Sequence, residues 1–192
     1  MSKAIFIDRD GVIIENRSNY VRSWEDVEFL PGALKALEKL AAAPYKIIVV
    51  TNQSAVGRGI ITASEAESIN ERLLKIVREA GGRIDGSYMC PHAPQENCQC
   101  RKPRPGMLLE AANDLRIDME VSLMVGDALT DIEAGQAAGV AHNFLVLTGR
   151  GRDQLQLPGA ESIQPFFVID SLSELPAIIE KPQKSRESIW FI

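Results

Sequence analysis

The chain has 192 residues, 45% of them hydrophobic and 24% charged, with a formal net charge of −5 at neutral pH. This is the profile of a globular protein with one domain and a proper core, and the acidic surplus opposes nonspecific nucleic-acid binding while leaving room for a locally positive site that takes a small anion. No apolar run approaches the ~20 residues of a membrane-spanning helix and the N-terminus has no charged-then-apolar leader pattern, so a cytoplasmic location without a membrane partner is expected.

Along the chain, short apolar runs alternate with helical patterns. AIFI at 4–7 reads as a strand ending at Asp8. Pro31 suits a first helical position ahead of ALKALEKLAAA, a stretch rich in helix formers. KIIVV at 46–50 is β-branched and ends at Thr51. Thr62-Ala63-Ser64-Glu65 is a capping-box pattern and predicts a helix to about Ala80, stopped by Gly81-Gly82. A short strand near 85–89 leads into a cysteine-bearing loop, and Pro105-Gly106 open a helix to about Leu115. VSLMV at 121–125 runs into Gly126-Asp127, with a short helix from about Asp131. NFLVL at 143–147 and FFVI at 166–169 complete the strands, and a helix from about Leu172 closes a single domain over residues 1–180. Residues 181–192 turn from polar and basic to apolar; they read as a loosely ordered tail, with docking of Trp190 and Phe191 as the alternative.

Strands alternating with helices specify an α/β fold, a parallel sheet with helices on both faces. Ligands of such sheets bind beyond the carboxyl ends of the strands. There the sequence sets Asp8 and Asp10, Thr51 and Asn52, and Asp127 and Asp131. Two acidic strand ends facing one cleft would repel unless a cation lay between them, and hard oxygen ligands suit Mg²⁺. With Thr51 as hydroxyl donor and Lys102 as ammonium, the set is equipped for phosphoryl transfer through a carboxylate nucleophile.

All three cysteines and one of the two histidines fall in CPHAPQENCQCRK, residues 90–102. Cys90, His92, Cys98 and Cys100 offer three thiolates and an imidazole, the complement of a closed structural zinc site. A disulfide would leave one thiol over, a catalytic cysteine would need one of the three, and a redox pair is more typically spaced C-x-x-C. Four protein ligands leave no open position for water, so the expected role of Zn²⁺ is mechanical: to order a polar loop next to Arg101 and Lys102. His142, with no matching ligands nearby in sequence, reads as a packing or surface residue.

Four stretches, FIDRDGVI, VVTNQSAVGRG, CPHAPQENCQCRKPRPGM and MVGDALTD, occur in an order that resembles the haloacid dehalogenase (HAD) superfamily of phosphatases. Within it the chain is most similar to the D-glycero-D-manno-heptose 1,7-bisphosphate phosphatases, with the histidinol-phosphate phosphatase domain as near kin. The matching stretches span residue 4 to about 150. The resemblance implies a Rossmann-like HAD fold without a large cap domain, with Asp8 as nucleophile, Asp10 as acid/base, and Thr51 and Lys102 on the phosphoryl oxygens. It places Mg²⁺ on Asp8, the Asp10 backbone carbonyl and Asp127, with Asp131 orienting Lys102 or the metal's water shell. It implies substrate contacts around Asn19 and Tyr20, at Asn52, Gln53 and Ser54, and at Arg101. It also implies a monomer acting on a phosphorylated sugar on a route to surface glycans such as lipopolysaccharide. One departure is Ala128, where many heptose phosphatases carry a substrate-contacting lysine; Arg17, Arg58 and Arg104 are candidates to restore that charge. The rival functions are a histidinol-phosphate phosphatase, a phospho-accepting signalling module and a zinc-stabilised interaction module. Signalling receivers lack an acid two residues after the phosphorylated aspartate, which Asp10 supplies here.

Overall fold

A computed structural model describes residues 1–180; the tail 181–192, with Trp190 and Phe191, lies outside the described residues. The elements run β1 (Ala4–Ile7), α1 (Ala33–Ala41), β2 (Lys46–Asn52), α2 (Ser54–Gly57), α3 (Ala63–Glu79), β3 (Gly86–Cys90), α4 (Gly106–Leu115), β4 (Leu123–Gly126), α5 (Leu129–Ala137), β5 (His142–Val146), α6 (Gly151–Gln154), β6 (Phe167–Ile169) and α7 (Leu175–Glu180).

The unbroken apolar runs of the inner strands follow from burial on both faces. Successive side chains of a strand point to opposite sides, so each run divides between two cores. Ile5 and Ile7 of β1 join Ile47 and Val49 of β2 beneath α1, α3 and α7, where Leu37, Leu40, Leu73, Val77 and Leu175 complete the packing. Ala4 and Phe6 join Ile48 and Val50 on the other face, against Met107, Leu108 and Ala111 of α4 and Ala134 of α5. The six strands are ordered β3-β2-β1-β4-β5-β6, every neighbouring pair parallel. This is the doubly wound, Rossmann-like arrangement expected, and among the described residues there is no large cap domain. The order reverses between β1 and β4, which opens a crevice at their carboxyl ends.

Several boundaries differ from the sequence reading for local reasons. Pro31 does not open α1; Gly32, at φ +78°, precedes the first helical residue, and a Cβ there would stand 2.4 Å from Ser173 Oγ. β2 continues through Thr51 and Asn52 because both pair with β3, at Met89 and Cys90. β4 starts two residues later than read, since residues 119–121 form a 3₁₀ turn in which the Asp118 side chain accepts the Glu120 N–H. α5 starts at Leu129 rather than near Asp131, because the Asp131 carboxylate reaches back to accept the Ala128 N–H at 3.0 Å.

The capping box of α3 is formed as read. Thr62 Oγ1 accepts the Glu65 N–H at 3.2 Å, and Glu65 Oε2 accepts the Thr62 N–H at 2.7 Å. Two of the helix's orphan amino-terminal donors are thereby satisfied. Thr62→Ala is expected to lower unfolding free energy by about 1 kcal/mol, a typical loss for a removed N-cap. Urea denaturation with an unchanged m-value checks this; equal midpoints for variant and wild type would refute it.

Candidate active site

The end of β1 is sewn to β4 by the Asp8 N–H, which donates to Val125 O at 2.9 Å. That bond brings Asp8 beside the turn carrying Asp127. The intervening turn passes so close that a Cβ on Gly11, at φ +89°, would stand 2.1 Å from Asp127 Oδ2. Only glycine combines this backbone conformation with that approach.

Lys102 lies at the centre, 3% exposed. Its ammonium meets Asp8 Oδ1 and Asp131 Oδ1, each at 2.6 Å, and donates to Val50 O at 2.7 Å. Three acceptors therefore match its three donors. Burial alone would push the ammonium towards neutrality; Asp131 and Asp8 outweigh it and hold the pKa above the usual lysine range. Asp131 serves twice, one oxygen on Lys102 and the other capping α5. The Lys102 backbone is locked as well: its N–H donates to Asn52 Oδ1 at 3.2 Å and its carbonyl accepts from Asn52 Nδ2 at 3.1 Å.

Asp10 faces a different set of donors. Arg9, only 1% exposed, forks onto it, with Nε 3.0 Å from Oδ2 and Nη2 3.2 Å from Oδ1. Gln53 Nε2 and Thr51 Oγ1 donate to the same Oδ2 at 3.0 and 3.3 Å. Gln53 also donates to Thr51 Oγ1 at 2.9 Å. The second stretch thus holds both functional groups, Asn52 gripping Lys102 and its two neighbours gripping Asp10.

Asp127 is fully buried. Its Oδ2 accepts from the Arg150 N–H at 2.9 Å, Arg150 Nε at 3.2 Å and Asn16 Nδ2 at 3.1 Å, and its Oδ1 accepts from Arg150 Nη2 at 2.9 Å. One residue before the glycine that precedes Arg150, Thr148 Oγ1 donates to Gly11 O at 2.6 Å. The turn after β5 is therefore part of the site, which the sequence reading did not foresee.

Asp8, Asp127 and Asp131 offer carboxylate oxygens all within 4.8 Å of one another. Against these three carboxylates stand Lys102 and Arg150, two cations. Burial pushes the Asp8 carboxyl up to about 8 despite Lys102, and Asp131, Asp127 and Asp10 add to the rise. Burial also raises Asp127, against the Arg150 hydrogen bonds. Three crowded carboxyl groups whose ionised forms are disfavoured by burial and mutual repulsion make an oxygen-only donor set that a hard divalent cation fits.

Above these groups opens a cleft of about 410 Å³, lined by Asp8, Asp10, Tyr20, Thr51, Asn52, Gln53, Ser54, Arg101, Lys102 and Asp131. With Arg17 and Arg58, which line it too, twelve of the residues singled out from sequence share one cavity. Asn19 does not line it and is exposed, whereas Asn16, Arg17, Arg58 and Arg150 do line it. Ala128 is buried and brings no cation to the cleft. Arg104 is turned away, donating to Asn97 O and, at 2.7 Å, to Cys98 O. His142 lies edge-on to Phe167 with ring centroids 5.8 Å apart.

Beside the cleft, the four zinc-type ligands converge. Cys90 Sγ stands 3.5 Å from Cys98 Sγ and 3.2 Å from Cys100 Sγ, and His92 Nδ1 stands 3.3 Å from Cys100 Sγ. These separations exceed a disulfide bond, and all three cysteines are free. Three thiols and an imidazole gathered at one point are compatible with a structural zinc ion. The loop is seated on α2: a Cβ on Gly57 would lie 2.4 Å from the Ala93 nitrogen. Arg101 Nη1 donates to Ser54 Oγ at 2.6 Å and to His92 O at 3.3 Å, which joins loop and cleft.

Residues 99–175 match a family model described as HAD-hydrolase-like. The chain is 40% identical over 188 residues to D-glycero-beta-D-manno-heptose-1,7-bisphosphate 7-phosphatase of Escherichia coli K12, covering 94% of this chain and 95% of that protein. It is 36% identical over 186 residues to the enzyme of the same name from Pasteurella multocida, covering 94% of this chain and 98% of that one. Among solved structures it superposes, with a TM-score of 0.84, on the D,D-heptose 1,7-bisphosphate phosphatase of B. bronchiseptica complexed with magnesium and phosphate, at 33% identity and covering 92% and 97% of the two chains. The corresponding enzyme from Burkholderia thailandensis gives a TM-score of 0.69 at 30% identity, covering 94% of this chain and all of that one. At 36–40% identity over nearly the whole of both chains, and with the same fold, the chain belongs to the heptose bisphosphate phosphatase family of the HAD-like hydrolases.

Proposed function

We propose that the protein is a Mg²⁺-dependent phosphoric monoester hydrolase that removes the C7 phosphate of D-glycero-D-manno-heptose 1,7-bisphosphate through an aspartyl-phosphate. The observation that carries this reading is the placement of Asp8 in the cleft, 2.6 Å from the Lys102 ammonium, with Asp10 two residues on and independently held. The names of the relatives support the substrate.

In this reading an oxygen of Asp8 attacks phosphorus, and the bond to the sugar oxygen breaks. Asp10 gives that oxygen a proton and later takes one from the water that cleaves the acyl-phosphate. Thr51 and Lys102 meet the phosphoryl oxygens, where negative charge grows in the transition state. Mg²⁺ would be held by Asp8, the Asp10 carbonyl and Asp127, with Asp131 outside the ligand set, and when bound it supplies neutralising charge at the phosphoryl group. The sugar is met by Tyr20 and Ser54 and by Arg101, with Asn52 and Gln53 acting mainly by positioning. The second phosphate needs a cation that Ala128 cannot give. Arg58 and Arg17 line the cleft and suit that need, although Arg17 also donates to Asp26 O and Glu28 at 2.9 Å. The same reading takes residues 1–180 as one catalytic domain of a cytoplasmic monomer.

Asp8→Asn is expected to abolish phosphate release from the heptose bisphosphate while leaving the fold intact by circular dichroism, because an amide oxygen is a poor nucleophile. Turnover retained by the purified, Mg²⁺-replete variant would remove Asp8 from that role. Asp10→Asn keeps the shape of the side chain and should slow the reaction by about 10²–10⁴-fold; a rate within twofold of wild type would count against the acid/base assignment. Cys98→Ser should lose zinc by elemental analysis and lower activity by loosening Arg101 and Lys102. A zinc-free protein with full activity would contradict the mechanical role of the loop.

A further inference from the structure

Arg150 belongs to none of the four stretches that define the site in sequence, yet it makes the most extensive contact with Asp127. Its contacts divide unequally between the two carboxylate oxygens. Oδ2 is held by the Arg150 backbone N–H and by Asn16 as well as by Arg150 Nε. For Oδ1, the one hydrogen-bond donor among the described residues is Arg150 Nη2, at 2.9 Å. Oδ1 is therefore the oxygen that a cation can claim, and only a side-chain contact stands in the way.

The two partners differ in what separation costs. The Asp127 side chain is fully buried, whereas that of Arg150 is 53% exposed. A buried carboxylate needs a countercharge at all times. A half-exposed guanidinium can swing outward and remain hydrated. A divalent ion on Oδ1 would repel it electrostatically. Its natural destination is the cleft it already lines, alongside Arg17, Arg58 and Arg101.

We infer that Arg150 is a resident counter-ion of Asp127, which a divalent cation displaces and which then joins the anion-binding wall of the cleft. Metal loading would thus expose one more positive charge to a phosphorylated ligand. By reciprocity an anion that engages the freed guanidinium also favours the metal-bound state. The backbone N–H of Arg150 stays on Oδ2 throughout, so the turn itself need not move. The inference rests on the magnesium reading of the Asp8–Asp127–Asp131 cluster.

The test is calorimetric titration of Mg²⁺ into the full-length metal-free protein, for wild type, Arg150→Gln and Arg150→Lys, followed by inorganic phosphate into each Mg²⁺-saturated protein. Arg150→Gln is expected to bind Mg²⁺ about tenfold more tightly than wild type, the scale of one charge-assisted pair no longer competing. Arg150→Lys, a charge without the fork, should fall between the two. Phosphate should bind the Mg²⁺-saturated Arg150→Gln protein several-fold more weakly than wild type. Equal or weaker Mg²⁺ binding by a folded Arg150→Gln overturns the displacement, and unchanged phosphate affinity overturns the second role. A wild-type protein that takes up no Mg²⁺ overturns the metal reading, and this inference with it.

Discussion

One buried ammonium ties the functional half of the molecule together. Lys102 comes from the loop after the cysteine cluster, yet its three donors end on a strand carbonyl, on the residue following β1 and on the first turn of α5. A lysine taken out of water is tolerable only when its hydrogens and its charge are both matched. Here each acceptor comes from a different part of the fold, so the lysine finds its full complement only when all of them have assembled. The crevice at the reversal of strand order is where such convergence is geometrically available.

The zinc-type loop is the long arm that delivers this ammonium. Between β3 and α4 the chain has few buried residues of its own, Ala93 and Lys102 being the exceptions. Such a segment cannot order itself by burial. Ligand convergence at one end and the paired Asn52–Lys102 backbone contacts at the other confine it instead. The loop is also pressed onto α2, so the turn that positions Ser54 and the loop that positions Arg101 are one packed body.

What could be read from the residues alone was whatever announces itself over a short span. Apolar runs ending in Asp8, Thr51 and Asp127 exposed the parallel sheet and its working edge, and the clustering of three thiols with an imidazole exposed the second metal-type site. Contacts made across the fold were not legible in the same way. Arg9 stands between two aspartates in sequence, as a solvated spacer might, yet it is the largest fully buried side chain among the described residues and forks onto Asp10. Arg150 lies in a turn rich in glycine and arginine that has no periodicity or spacing to mark it. Asn16, rather than Asn19, reaches the carboxylates; the loop was identified and its Tyr20 does line the cleft, but Asn16 carried no signal of its own. Pro31 failed as a helix opener because the glycine after it adopts a left-handed turn against Ser173, a tertiary contact invisible to local preference.

The turn after β5 has one more implication. Gly149 lies so near Gly11 and Asp127 that a methyl group on it would stand 2.5 Å from the Gly11 Cα and 2.4 Å from Asp127 Oδ2. Two bare backbones and one carboxylate are moulded to each other, leaving no volume in which a side chain could be gained. Innovation in what the protein accepts is thereby pushed outward, to the loop bearing Tyr20 and the arginine-rich margin, where replacements meet solvent rather than main chain. Lineages of this architecture would then diversify at the rim and leave the floor unchanged.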